Sequence, residues 1–257
     1  MKIVTIPCLQ DNFAYLLICT KTQQAAIVDP SEAAPVINEI ERQGVKLTTI
    51  LNTHHHWDHV GGNQDLNAKY SQLLIFGHHS DRDRIPGQTE FLKSGDEVHF
   101  GEQRGTFLHN PGHTSGALTY VFGKTAFTGD TLFAAGCGRL FEGTPAQMHD
   151  SLNIQIGGLA DETKLYFGHE YTEANLRFAL SVESGNAEIQ KKVKAVSALR
   201  SSGKFSTPTT LAEERLTNPF MRCNSAGIHA CVKSKEPEHN LAEQEVFRTL
   251  RELKNNF

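Results

Sequence analysis

Between Lys2 and Gly168 the chain is a succession of short apolar runs rich in β-branched residues, each closed by turn residues; beyond Gly168 no such run appears. "KIVTIP", "AYLLICT" and "AAIVDP" read as three strands, and their close succession predicts antiparallel pairing. "SEAAPVINEIERQG" reads as a helix, with Ser31 as N-cap, Pro35 in the first turns, Val36, Ile37 and Ile40 as the apolar stripe and Gly44 as the stop. "KLTTILNT" is a strand, "GGNQDLNAKY" a helix, and "LLIFG", "EVHF", "GTFLHN", "ALTYVF", "TAFTGD" and "KLYFG" further strands, with one more helix over 145–159. After that "TEANLRFALSVES", "AEIQKKVKAVSALRSSG", "LAEERL" and "LAEQEVFRTLRELKNN" read as helices. This predicts an α+β protein: a sheet sandwich covered by helices over residues 1–171, then a smaller helical domain over 172–257.

Composition narrows the class of function. A chain of 257 residues with 39% hydrophobic and 21% charged residues is an ordinary globular protein. A net charge of −4 argues against a protein built to hold nucleic acid. No run of eighteen apolar residues is present, so no membrane span is expected. The opening "MKIVTIP" reads as a strand and not as a targeting segment. Five scattered cysteines with no C-x-x-C fit reduced thiols in a cytoplasmic protein.

The polar residues that demand explanation are "THHHWDH", residues 53–59. In an extended segment alternate side chains share a face, so His54 and His56 point one way and His55 the other. Asp58 and His59 follow where the chain turns toward a helix. Imidazole and carboxylate are ligands that zinc, iron and manganese accept, and Gly61 and Gly62 are expected to let backbone pass close to a bound group. A histidine-rich surface turn is the bland alternative. Against it, His113, Asp130 and His169 also fall at strand ends, in "NPGHTSG", "FTGDTLF" and "FGHEY".

"THHHWDHVGG" followed by "PGHTSG", "FTGDTLF" and "GHEY" resembles the metallo-β-lactamase superfamily, whose signature is H-x-H-x-D-H. "FTGDTLFAAGCGRLFEGTPAQM", "YFGHEYTEANLRFALSVE", "NPFMR" and the basic last helix are similar to the glyoxalase II (hydroxyacylglutathione hydrolase) family, and the likeness spans essentially the whole chain. The resemblance implies a four-layer αββα sandwich with a glutathione-binding helical domain. It implies two divalent metal ions, zinc first, with iron or manganese also accepted. His54, His56 and His113 would hold one ion, Asp58, His59 and His169 the other, and Asp130 would bridge both. Asp58 and Asp130 would be the catalytic carboxylates, beside a hydroxide made available by an ion pair about 3.5–4 Å apart. The implied substrate is a glutathione thioester, above all S-D-lactoylglutathione, whose thiol (unperturbed pKa about 8.5) leaves without a strong general acid. Asp29 would order the ligand loop.

Arg251 and Lys254 align with the family's clamp on the glycine carboxylate, and Tyr171 with a tyrosine that bonds the peptide. Without the resemblance, Arg248, Arg251 and Lys254 would read as a solvated basic stripe near a helix C-terminus. Arg139 stands where the family has Lys or Arg. Phe141 replaces a frequent tyrosine, so one hydroxyl contact to glutathione is missing and thiol-side recognition is expected to be weaker or altered. The expected partner is therefore a small molecule, with no nucleic acid and no membrane, and the expected state a monomer.

Several signals read as incidental: Cys223, His229 and Cys231 as loop residues short of a zinc set, His78 and His79 as a polar loop, and Cys137 as a thiol without a base. Within the same fold a lactonase needs only the metal site, and the C-terminal domain with its basic stripe weighs against it. A non-catalytic metal-binding module is weighed against by the complete set of seven ligand positions.

Overall fold

The computed structural model describes all 257 residues. One six-stranded sheet runs β1 (Lys2–Cys8), β2 (Asn12–Ile18), β3 (Gln24–Val28), β4 (Lys46–Leu51), β5 (Leu74–His78) and β6 (Glu90–Leu92). The first three strands pair antiparallel, as their close succession predicts. From β3 to β6 every pairing is parallel, because each connection carries the chain back to the same end. Helix α1 (Ala33–Gln43) makes the first such return, and α2 (Trp57–Val60) with α3 (Asn63–Lys69) lies in the second.

The facing sheet is built from β7 (Val98–Phe100), β8 (Gln103–His109), β9 (Leu118–Phe122) and β10 (Thr125–Gly129), after which the chain makes a small hairpin, β11 (Leu132–Phe133) and β12 (Gly136–Cys137). Strand β13 (Lys164–Phe167) then joins β10 in parallel, and β14 (Thr209–Thr210) closes the edge. The helical part is α4 (Pro145–Asp150), α5 (Thr172–Val182), α6 (Ala187–Ser201), α7 (Leu211–Thr217), α8 (Ala226–Lys235) and α9 (Glu243–Asn255).

Strand β2 shows how the layers form. Its alternate residues Phe13, Tyr15 and Leu17 enter the core between the sheets, beside Leu118, Tyr120, Phe127 and Phe167. Ala14, Leu16 and Ile18 turn to the other face, where Val36 and Ile40 of α1 and Leu66 of α3 cover them. On the far side of the second sheet, Ala126 and Leu165 join Phe178, Phe220, Phe247 and Leu250 in one apolar cluster. Each strand buried on both faces therefore reads as a continuous apolar run, and the result is an αββα sandwich.

Five local expectations need correcting. Ser31 is not the cap of α1: Glu32 holds that position with no side-chain cap bond, its carboxylate instead accepting from Leu9 N at 2.5 Å. The helix over 145–159 is α4 followed by a wide π turn (Ser151–Gln155) and a tight 3-10 turn (Ile156–Gly158). The helical segment does contain a strand, since Thr209 pairs with Leu165. His229 and Cys231 are helical, in α8, and His78 ends β5 with its ring stacked on His109 at 4.1 Å.

Candidate metal centre

Parallel pairing places the loops after β3 and β4 at one end of the first sheet, and those after β10 and β13 at one end of the second. The sandwich brings these ends together. The loop after β4 supplies His54 and His56, helix α2 supplies Asp58 and His59, the loop between β8 and β9 supplies His113, and Asp130 and His169 follow β10 and β13.

The donors gather in two groups, His54–His56–His113 and Asp58–His59–His169. His56 Nδ1 lies 3.1 Å from His54 Nε2 and 3.0 Å from His113 Nε2. His59 Nε2 and His169 Nε2 are 3.2 Å apart. Asp130 stands between the groups, with Oδ2 3.5 Å from His113 Nε2 and 3.3 Å from His169 Nε2, and Oδ1 3.4 Å from His59 Nε2. Asp58 Oδ2 is 3.4 Å from His169 Nε2 and 3.7 Å from His59 Nε2.

The far nitrogens decide what these rings can do. His113 Nδ1 donates to Arg139 O at 2.8 Å, His59 Nδ1 to Asp29 Oδ2 at 3.0 Å and His169 Nδ1 to Asp11 Oδ1 at 2.9 Å. Thr53 Oγ1 gives its proton to Asp29 Oδ2 at 2.6 Å and so accepts from His54 Nδ1 at 3.1 Å. With the far nitrogens engaged this way, His54 and His113 turn Nε2 toward His56 Nδ1, and His59 and His169 turn Nε2 toward each other, an arrangement that suits cations and not mutual hydrogen bonds. Asp130 Oδ1 is buried without a hydrogen-bond partner. The residues present therefore fit two metal ions. Asp29 is grouped by distance with His54 and His59, but its oxygens are taken by Thr53 N (2.7 Å), Thr53 Oγ1 and His59 Nδ1, so it positions Thr53 and His59 and has no oxygen turned to an ion.

Charge divides the two groups. Burial, reinforced by neighbouring imidazoles, drives His54 well below the usual histidine range and His56 to about 4, and it lowers His113. Burial also opposes charge on His59 and His169, but Asp130 with Asp29 outweighs it at His59, and Asp130 with Asp58 at His169. These rings are pushed up to about 10 and about 12. Conversely, burial would raise Asp58 and Asp130, and their histidine partners hold both below the carboxylate range. With no metal, the second group thus keeps protons where cationic charge belongs.

His55 leaves the cluster. Its Nε2 is 2.5 Å from Arg84 Nη2 and its Nδ1 3.4 Å from Asp81 Oδ1, and Arg84 also pairs with Glu142, which accepts from Ser115 N at 2.8 Å. This chain of charges ties the loops bearing His54–His59, His113 and Arg139 to one another. Gly61 and Gly62 do not face the centre: a Cβ on either would collide with the Ser31 or Pro30 carbonyl. The close approach at the metals is made by Gly168, where a Cβ would collide with Asp130 Oδ1 and His59.

The centre is the floor of a cavity of about 760 Å³. Arg139, Phe141, Tyr171, Arg251 and Lys254 all line it. Phe141 sets its ring edge-on to His56 at 5.4 Å and His113 at 5.3 Å, and Tyr171 stacks on His169 at 4.7 Å. Arg248 is separate, paired with Glu245 and Glu252 on the outer face of α9. Four contributors are not marked by the sequence reading. Asn12 donates to Asp58 Oδ2 at 3.1 Å, Asp11 orients His169, and Arg177 and Trp57 join the cavity wall. Trp57, 72% exposed between two ligand pairs, carried the one available signal.

An αββα sandwich with paired His/Asp donor groups at the facing strand ends defines a metallo-β-lactamase-fold hydrolase, and the metallo-beta-lactamase superfamily family matches residues 11–169. The family "Hydroxyacylglutathione hydrolase C-terminus" matches residues 170–257. A hydroxyacylglutathione hydrolase of Synechococcus sp. is 48% identical over 250 residues, 94% of this chain and 96% of its own. The chain belongs to the hydroxyacylglutathione hydrolase (glyoxalase II) family. Among solved structures, the B3 metallo-β-lactamase BLEG-1 shares the fold at TM-score 0.67 and 22% identity, covering 86% of this chain and 100% of that one. TTHA1623 in a di-iron-bound form, 25% identical, matches at TM-score 0.59 over 86% of this chain and 100% of its own.

Proposed function

We propose that the chain hydrolyses S-D-lactoylglutathione and related 2-hydroxyacyl glutathione thioesters to the 2-hydroxy acid (D-lactate) and glutathione, the second step of methylglyoxal detoxification. The observation that carries this reading is one cavity whose floor is the two donor groups and whose wall is basic. When bound, two ions supply Lewis acidity that lowers the pKa of a shared water and polarises the thioester carbonyl. His54, His56 and His113 would hold one ion, Asp58, His59 and His169 the other, with Asp130 between. Asp58 and Asp130 keep carboxylate charge beside the attacked carbon. Burial raises Tyr171 further above its usual range and keeps it a neutral phenol, a donor toward the tripeptide. Arg139, Arg251 and Lys254 give the cavity the charge an anionic thiol needs, residues 172–257 acting as the glutathione-binding domain.

His and carboxylate donors without sulfur suit zinc, iron and manganese. Zinc is our first assignment, and the di-iron form of the structural neighbour supports iron as the alternative. We further propose a cytoplasmic monomer. Five free thiols support a reducing compartment, and no helix is long and apolar enough to cross a membrane.

Thiol release from S-D-lactoylglutathione, with and without chelator, tests the reading. Rapid turnover lost on chelation and restored by metal is expected. A fully metallated sample that leaves the thioester intact would remove the assignment.

A further inference from the structure

Arg177 lies on α5 one turn beyond Ala174, on the cavity wall. Glu173 precedes it by four residues, the spacing at which a helical Glu and Arg reach each other, yet the pair does not form: Arg177 has no partner among the ion pairs or hydrogen bonds of the chain. Its isolation is part of a pattern. Of the eleven arginines, seven are ion-paired. Of the other four, Arg82 lies over the Phe91 ring, and Arg139, Arg177 and Arg251 all line this one cavity. The only carboxylate side chains on its lining are Asp58 and Asp130, which belong to the candidate metal centre.

These cations are not equivalent. Arg251 is buried, its Nη1 donating to Cys137 O at 2.9 Å and Gly138 O at 3.4 Å, and its Nε to Asn255 Oδ1 at 3.1 Å. Much of its donor capacity is spent on holding β12 against α9. Lys254 Nζ, by contrast, makes a single bond, to Ala174 O at 3.3 Å, and Arg177 and Arg139 are exposed at the wall. The thiol half of a glutathione thioester carries two carboxylates, at opposite ends of the tripeptide, with the reacting sulfur between them. A clamp at Lys254 and Arg251 accounts for one.

We propose that Arg177 is a specificity-determining residue that pairs with the second substrate carboxylate, so that the cavity reads the thiol moiety as a dicarboxylate. The inference rests on the glutathione-thioester reading above. A guanidinium is suited to the task, since it stays charged and meets a carboxylate with two parallel N–H donors.

The test compares wild type, Arg177→Ala and Arg177→Lys, each metal-loaded, on three D-lactoyl thioesters: that of glutathione, that of N-acetylcysteinylglycine (no γ-glutamyl carboxylate, and no free amine to take the acyl group) and that of glutathione amidated at its glycine. Arg177→Ala is expected to raise KM for the glutathione thioester about tenfold or more, the worth of one charge-assisted hydrogen-bonded pair, with kcat within about twofold. Wild type and Arg177→Ala should then share one KM on whichever truncated thioester lacks the carboxylate Arg177 reads, and still differ on the other. Glutathione itself, titrated calorimetrically, should bind Arg177→Ala correspondingly more weakly, with Arg177→Lys recovering part of the loss. An unchanged KM for the glutathione thioester overturns the proposal. So does an equal penalty on both truncated thioesters, which would mean general attraction of anions. If wild type fails to hydrolyse any of the three, the glutathione reading itself has failed, an outcome seen before any variant is compared.

Discussion

Asp29 touches no part of the cavity, yet it fixes the His59 ring directly and the His54 ring through Thr53. It sits at φ 46°, a left-handed conformation uncommon outside glycine, and is held there by its bonds to Thr53 and His59. Asp29→Asn puts an amide where His59 Nδ1–H needs an acceptor. The expected result is metal affinity about 10–100-fold weaker, measured by chelator competition on zinc-loaded protein; unchanged affinity would show that packing alone orients His59. Lys254 predicts a pH effect. Burial, with the charges of Arg251 and Arg177, lowers its ammonium to about 8. The charged form is the one that binds an anion, so kcat/KM, which reports the free enzyme, should fall as pH rises through about 8. Lys254→Arg, charged throughout, should remove that limb, and a limb that persists would assign it to another group. Spacing makes His54, His56, Asp58 and His59 legible in the sequence as a cluster, because four candidate donors fall within six consecutive residues. Asp11 and Asn12 were not legible: they reach His169 and Asp58 across a fold that local periodicity does not describe. Arg177 is one cation on a helix, and nothing local marks it.

At the scale of elements, a long apolar period is legible in the sequence, and an element made by a cap or a tertiary contact is not. Strand β2 and helix α1 advertise themselves, and Gly44 ends α1 in the left-handed conformation at φ 65°. Helix α8 has only a weak stripe, and "CNSAGIHAC" passed for a loop. Its legible mark was Ser225, whose hydroxyl accepts from Ile228 N at 3.3 Å. Strand β14 is two threonines long and exists because β13 offers an edge, so no window of sequence could declare it. Helix α7 is the reverse case, begun by a reciprocal cap: Thr210 Oγ1 accepts from Glu213 N at 3.3 Å, and the Glu213 carboxylate from Thr210 N at 3.2 Å. Thr210→Ala should cost about 1 kcal/mol and lower the thermal midpoint by about 2–4 °C. A midpoint unchanged in calorimetry would mean that α7 is held by packing alone.

One apolar cluster spans the whole molecule across the point where the sequence texture changes. Ala126, Leu132 and Leu165 of the sandwich share one apolar cluster with Phe220, Val246, Phe247 and Leu250. Glu214, fully buried on α7, accepts from Ala135 N at 2.7 Å and pairs with Lys192 at 2.6 Å, so the β11–β12 turn hangs from the helical part. Residues 1–171 expressed alone should therefore expose a large apolar face and aggregate or bind a hydrophobic dye. A soluble fragment with one cooperative melting transition would contradict this. The metal centre has a corresponding effect between the sheets. Four of the candidate ligands are rooted in one sheet and three in the other, so each cation held there would work as a rivet through the sandwich. At a free metal concentration a thousandfold above Kd, one such site adds about 4 kcal/mol to the native state, comparable with a large share of a domain's whole stability. Chelation should lower the melting temperature as well as silence the enzyme. In a metal-starved cell this chain would be lost to proteases as well as to inactivity, and its abundance would follow the supply of the ions it uses.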